Sequence, residues 1–179
     1  MRSEKSEMKQ TKNLVLCALF AALITIGTYI KIPTPLLPLT FQTLFVVLSG
    51  LVLGKKYGAI SVCVYVIAGL IGLPVFTGSA LNPTFGYIIG FIFGAWLAGF
   101  IAEKFKPCFL TFFLGALAGI AVIYAFGIPY YYLMSKFYLE NEIGAKTLLM
   151  YFVLMPLPGD IFKSVLAGVI AQRLKKLRS

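Results

Sequence analysis

The chain has no histidine and only six acidic residues among its 179. Without histidine it lacks the commonest metal ligand and the side chain most used as a general base near neutral pH. A Ser-His-Asp triad is excluded, which leaves only Ser–Lys arrangements among the familiar nucleophile pairs. The cysteines Cys17, Cys63 and Cys108 are odd in number and lie within or beside apolar runs, so they imply no disulfide framework and read as small buried hydrophobes. No Walker A sequence is present, because Gly54-Lys55 lacks both the upstream glycine and the following Ser or Thr. Charge of either sign is scarce, at 12% of residues against about 25% in soluble domains. From Tyr57 to Ala102, and again from Phe109 to Met134, there is no Asp, Glu, Lys or Arg at all.

Hydrophobic residues make up 60% of the chain. Uncharged stretches of this length exceed the roughly 20 residues that a bilayer-spanning helix needs. Six apolar segments can be drawn, at about 14–30, 39–53, 57–73, 84–102, 109–134 and 147–171. The second and third are short, but joining them would place Lys55 and Lys56 in mid-membrane, which is costly. The fold predicted is therefore an all-α integral membrane protein, a six-transmembrane-helix bundle forming one polytopic domain over 1–179. Leu14–Ile30 has a basic flank but no small-residue cleavage site after it, so it reads as a retained helix rather than a signal peptide.

The formal net charge of +10 arises at the ends of these segments. With the N-terminus inside, the inner side collects Arg2, Lys5, Lys9, Lys12, Lys55, Lys56, Lys104, Lys106, Arg173, Lys175, Lys176 and Arg178. The outer side holds only Lys31, Lys136 and Lys146. This asymmetry predicts cytoplasmic N- and C-termini and contact with anionic membrane lipids, and it argues against nucleic-acid binding.

Two outer connections, Ile32–Pro38 and Pro74–Pro83, are rich in Pro and Gly and nearly chargeless. Such loops are expected to fold onto the helices as a lid or to enter the membrane where protein shelters their backbone. The alternative is that they are merely tight connectors. Small residues recur every fourth position at Gly86, Gly90, Gly94 and Ala98, at Gly115 and Gly119, and at Ala18 and Ala22, as close helix packing requires.

Charge enters an apolar segment at one place, Met155-Pro156-Leu157-Pro158-Gly159-Asp160-Ile161-Phe162-Lys163. The double proline is expected to break the preceding helix, with Asp160 as the N-cap of the next. From Asp160 to Arg173 is about 20 Å of helix at 1.5 Å per residue, which puts Asp160 in the outer half of a ~30 Å core. The i, i+3 spacing sets Asp160 and Lys163 on one face. A capping acid and a neighbouring base that simply neutralise each other are the structural reading. Burial of two charges costs several kcal/mol even when they are paired, and intramembrane ionisable groups mark substrate or ion pathways by default. Gln42, Thr43, Asn82 and Thr84, together with Phe41, Phe76, Phe85, Tyr87 and Tyr130-Tyr131-Tyr132, belong to the same outer ends. That assembly suits a small amphipathic ligand with a donor, an acceptor and a carboxylate.

The chain resembles the BioY family, the biotin-binding S components of energy-coupling-factor (ECF) transporters, over nearly its whole length. The resemblance rests on five ordered blocks: Ala18-Leu19-Phe20-Ala21-Ala22-Leu23, Pro38-Leu39-Thr40-Phe41-Gln42-Thr43-Leu44, Gly69-Leu70-Ile71-Gly72-Leu73-Pro74-Val75-Phe76, Pro83-Thr84-Phe85-Gly86-Tyr87 and Pro158-Gly159-Asp160-Ile161-Phe162-Lys163. It implies a six-helix subunit of the bacterial cell membrane that captures biotin from outside. A transmembrane coupling subunit and a pair of ABC-type ATPases would supply the energy, and no metal, catalytic residue or cofactor beyond the ligand biotin is expected. Asp160 and Lys163 would contact biotin, with Gln42, Asn82, Thr84, Tyr87 and Phe41 as further contacts. Ala18 and Ala22 would face the coupling subunit, and a homodimer is permitted when the subunit is alone. The chain departs from the family at Asn82-Pro83-Thr84-Phe85-Gly86-Tyr87, where the family's loop is longer and reads Gly-Pro-Thr-Gly-Gly-Tyr. Other readings are an S component for thiamine or riboflavin, a membrane enzyme using Asp160, and an assembly subunit without a ligand.

Overall fold

The computed structural model describes residues 2–32, 39–76, 85–137 and 144–178. Helix α1 (Arg2–Tyr29) is followed by two short strands, β1 (Lys31–Ile32) and β2 (Leu39–Thr40). Then come α2 (Gln42–Leu70), α3 (Phe85–Lys104), α4 (Phe109–Phe137), α5 (Ala145–Leu149), a π-helical turn (Met150–Leu154) and α6 (Leu157–Arg178). Among the described residues five helical stretches are long and apolar enough to cross a membrane: Gln10–Tyr29, Gln42–Leu70, Phe85–Lys104, Phe109–Phe137 and Lys146–Leu177. Helix α1 starts well before Leu14 and carries the basic leader in its first turns.

Helix α2 is not straight. Gly54 stands at φ 85, ψ 174, a backbone conformation that an L side chain rarely adopts. Gln42 Nε2 donates to Tyr65 Oη at 2.6 Å although 23 residues separate them, about 35 Å along a straight helix. A Cβ built on Gly58 would lie 2.5 Å from Gly50 Cα. The chain therefore reverses at Gly54, and the arms 42–53 and 55–70 run side by side. Glu103 of α3 fastens the reversal, accepting the Lys55 backbone N–H at 3.0 Å and approaching Lys55 Nζ at 3.8 Å.

The first arm of α2 is the centre of the bundle. Val46, Val47 and Leu51 are fully buried, and α1, α3, α4 and α6 all pack on α2. Helices α3 and α4 approach through their small-residue stripes, a Cβ on Gly94 falling 2.8 Å from Gly119 O and a Cβ on Gly119 the same distance from Gly94 O. In a bilayer this close contact is a main source of cohesion, since lipid tails are as apolar as the side chains.

The expected break at the prolines has a physical cause in the structure. Pro156 has no N–H, and its ring would crowd the carbonyl four residues back. The preceding segment widens to a π turn, with Met155 N donating to Met150 O at 2.9 Å, and α6 begins at Leu157. Asp160 is consequently not the N-cap. It lies in the first turn of α6, its own N–H bonded to Pro156 O at 2.9 Å.

Candidate functional site

Five elements bring polar side chains together at the end of the bundle opposite Lys55 and Lys104. Asp160 and Lys163 are 2% and 7% exposed, and their charged atoms Oδ1 and Nζ are 2.6 Å apart. The other carboxylate oxygen, Oδ2, accepts the hydroxyl of Tyr124 from α4. Lys163 Nζ also donates to Thr43 Oγ1 at 2.7 Å and to the Thr40 carbonyl at 3.2 Å. Strand β2 and the start of α2 are thereby tied to α6. Every oxygen of the Asp160 carboxylate faces a donor, as a buried charge requires.

Tyr87 of α3 completes this side. Its ring stands edge-on to Tyr124, centroids 6.0 Å apart, and rests where Gly127 has no side chain. The Tyr87 hydroxyl is buried and finds no hydrogen-bond partner among the described residues. Orphaned buried hydroxyls are uncommon and call for an explanation, of which a role in holding a ligand is one.

A second polar cluster adjoins the first through the neighbouring residues Gln42 and Thr43. Tyr65 Oη accepts from Gln42 Nε2, donates to the Val75 carbonyl at 3.3 Å, and lies 3.5 Å from Thr28 Oγ1. Phe76 packs edge-on against Tyr65, centroids 5.3 Å apart, and against Phe85 at 6.4 Å. The start of the second outer connection, Pro74–Phe76, thus folds onto the helices, and Tyr29 Oη donates to the Pro74 carbonyl. The lid expected of Pro33–Pro38 and of 77–83 lies outside the described residues.

Of the residues singled out from sequence, Asp160, Lys163, Tyr87, Gln42 and Phe41 all belong to this end, Phe41 as a half-buried ring immediately before α2. Gln42 does not touch the acid or the base; it serves Tyr65. Asn82 and Thr84 fall outside the described residues. Ala18 and Ala22 are exposed, one turn apart on α1. Tyr130 packs over Gly86, and Tyr131 packs against Phe152 with ring centroids 4.3 Å apart. Sequence reasoning missed Tyr124, Tyr65 and Thr28, and it passed over the Thr40 carbonyl. Tyr124 left a signal, as the one polar side chain between Phe112 and Pro129. Among the described residues no group of His, Cys, Asp and Glu is arranged to hold a metal.

The chain matches the BioY family over residues 1–179. It is 41% identical over 173 residues to a protein named biotin transporter BioY from Thermotoga maritima, covering 93% of this chain and 97% of that one. It is 35% identical over 177 residues to a probable biotin transporter BioY from Lysinibacillus sphaericus, covering 96% and 90%. Its backbone is similar to the crystal structure of the S-component for biotin from an ECF-type ABC transporter. There the TM-score is 0.81 and the identity 31%, over 94% of this chain and 93% of the other.

Proposed function

The chain belongs to the BioY family, and from that premise we propose that it is the biotin-capturing S component of an ECF-type importer, a multi-pass protein of the cell membrane. One observation carries the site: the acid and the base within the apolar segments are paired, buried and flanked by an unsatisfied tyrosine hydroxyl. Biotin offers two ureido N–H donors, a ureido oxygen and a carboxylate. Asp160 suits the N–H groups, and Lys163 suits either acceptor. Tyr87 would donate to the ligand, Phe41 would supply an apolar wall, and Gln42 would act through Tyr65. Asn82 and Thr84 remain contacts by family resemblance.

Six spans with both termini inside follow if the two arms of α2 each cross the bilayer; the reversal at Gly54 and the Lys/Arg asymmetry favour this. The exposed Ala18–Ala22 strip would meet a coupling subunit, and the ATPases would act through that subunit. The α3 and α4 small-residue stripes are occupied inside the bundle, so a homodimer would use another face.

Titration calorimetry of detergent-purified, ligand-freed protein tests the reading. Biotin is expected to bind one to one, and its methyl ester to bind more weakly if Lys163 meets the valerate. A folded, ligand-free sample that gives neither heat nor a thermal shift with biotin returns the question to thiamine and riboflavin. Tyr124→Phe is expected to weaken biotin about tenfold at an unchanged helical signal, since it removes one charge-assisted bond that orients Asp160. Unchanged affinity in that variant would show the Tyr124 bond to be incidental.

A further inference from the structure

The ammonium of Lys163 has three N–H bonds, and among the described residues three acceptors take them. These are Asp160 Oδ1 at 2.6 Å, Thr43 Oγ1 at 2.7 Å and the Thr40 carbonyl at 3.2 Å. A ligand oxygen can enter only by replacing one of the three, and the two that stay then aim the ammonium. Two of the acceptors belong to one short stretch, Thr40 at the end of β2 and Thr43 in the first turn of α2. The position of residues 40–43 therefore decides what Lys163 presents to a ligand.

Little besides Lys163 holds that stretch. Strand β2 pairs with β1 over two residues, and Phe41, ahead of α2, supplies no capping oxygen. The Phe41 N–H ties the stretch to the end of α1, donating to the Ile30 carbonyl at 3.0 Å. On the other side stands Gln42, buried, with its Nε2 donating to Tyr65 Oη at 2.6 Å. Tyr65 is itself fixed. It is buried edge-on to Phe76, and its oxygen lies 3.3 Å from the Val75 carbonyl and 3.5 Å from Thr28 Oγ1. The Thr28 hydroxyl gives its own hydrogen to the Ile24 carbonyl at 2.9 Å, so towards Tyr65 it can only accept. Val75 and Thr28 would suffice to satisfy the Tyr65 hydrogen. The bond from Gln42 is the shortest of the three, and it crosses the α2 hairpin to the stretch that carries the acceptors of Lys163. We propose that Tyr65 is a positioning residue for ligand capture, a role that rests on the biotin reading above: through Gln42 its hydroxyl fixes residues 40–43, and these aim Lys163.

The test follows tritiated biotin on detergent-purified, ligand-freed protein, with association and dissociation rates measured beside the helical melt. Tyr65→Phe keeps the ring and loses only the hydroxyl. Dissociation should quicken about tenfold, the scale of one hydrogen bond, at an unchanged association rate. Gln42→Met should reproduce that change. If either melts too low to assay, Gln42→Met/Tyr65→Phe leaves no buried donor unpaired and carries the same expectation. Thr43→Val should also quicken dissociation about tenfold. Because both act through the aim of Lys163, Thr43→Val/Tyr65→Phe should stay near tenfold rather than reach the roughly hundredfold of independent sites. Full additivity would overturn the proposal. So would fewer binding sites at the parent's dissociation rate, which is what a folding defect alone produces. A parent that binds biotin and a Tyr65→Phe protein that releases it at the same rate would overturn the positioning role and leave the biotin reading standing. A parent that binds no biotin overturns both.

Discussion

Asp160→Asn is expected to leave the protein folded in the membrane but to weaken biotin capture at least about a hundredfold. The argument is a count of acceptors. The carboxylate presents two oxygens to two donors, Tyr124 on one and Lys163 on the other. Asparagine has a single, uncharged acceptor oxygen; with that oxygen on Lys163, its amide NH2 faces the Tyr124 hydroxyl, which must turn from donor to acceptor, and no anion is left opposite the ammonium. Truncating one partner of a buried, hydrogen-bonded charge pair costs about 2–5 kcal/mol, a factor of roughly 30 to several thousand in affinity. Among the described residues the site then holds no anionic acceptor, and Lys163 keeps Thr43 Oγ1 and the Thr40 carbonyl.

The same substitution also lowers stability, because an uncompensated buried ammonium costs about 3–5 kcal/mol. A second variant separates that effect from binding. In Asp160→Asn/Lys163→Met both charges are gone, and replacing a buried ion pair by neutral groups is often neutral or stabilising. The melting temperature should return towards that of the parent while biotin affinity does not. If the double variant recovers both, or if the single variant loses stability but binds biotin normally per folded molecule, the pair is a structural element and the site lies elsewhere. Measured by calorimetry and circular dichroism on one set of samples, stability and affinity diverge only when the pair reads the ligand.

The all-helical membrane character and the charged pair were legible in the sequence for one reason: lipid admits so little charge that its absence over Tyr57–Ala102, and its reappearance at Asp160 and Lys163, are both improbable by chance. The partners of that pair were less legible. Thr40 contributes a backbone carbonyl, which has no side-chain signature. Ten tyrosines are spread along the chain, and Tyr124 is selected only by the height at which α4 crosses α6. Tyr65 meets Gln42 only because the chain reverses at Gly54, a pairing that follows from a backbone conformation rather than from any local pattern. The N-cap expected of Asp160 failed for a local reason. Proline fixes a helical φ and suits the first turn, so α6 starts ahead of Asp160, with Pro158 in that turn.

That reversal leads to the second large effect, at a residue outside the Asp160–Lys163 cluster. Gly50→Ala is expected to cost at least about 3 kcal/mol, beyond the usual 1–3 kcal/mol of overpacking, because backbone crowds it on two sides. A Cβ there would lie 2.1 Å from the Ala95 carbonyl oxygen and 3.0 Å from Gly99 N, while across the hairpin Gly58 sits against Gly50 Cα. Neither neighbour is a flexible side chain that can swing away. Gly99 is equally confined, a Cβ on it falling 2.4 Å from Lys55 N, so α3 cannot retreat along the hairpin without breaking the Glu103 contact at its turn. Gly144→Ala is the control, since none of the described residues comes within 4 Å of a Cβ there and φ is −62, and it should be neutral or slightly stabilising. The thermal melts of the two variants should therefore diverge, the first unfolding well below the parent or failing to accumulate. A Gly50→Ala protein that melts with the parent would mean that the arms of α2 do not press on α3, and the proximity of Gln42 to Tyr65 would fall with it. Van der Waals contact of this closeness is a main cohesive force between helices in lipid, so the cost of one methyl group measures how tightly the scaffold holds the end that carries Asp160 and Lys163.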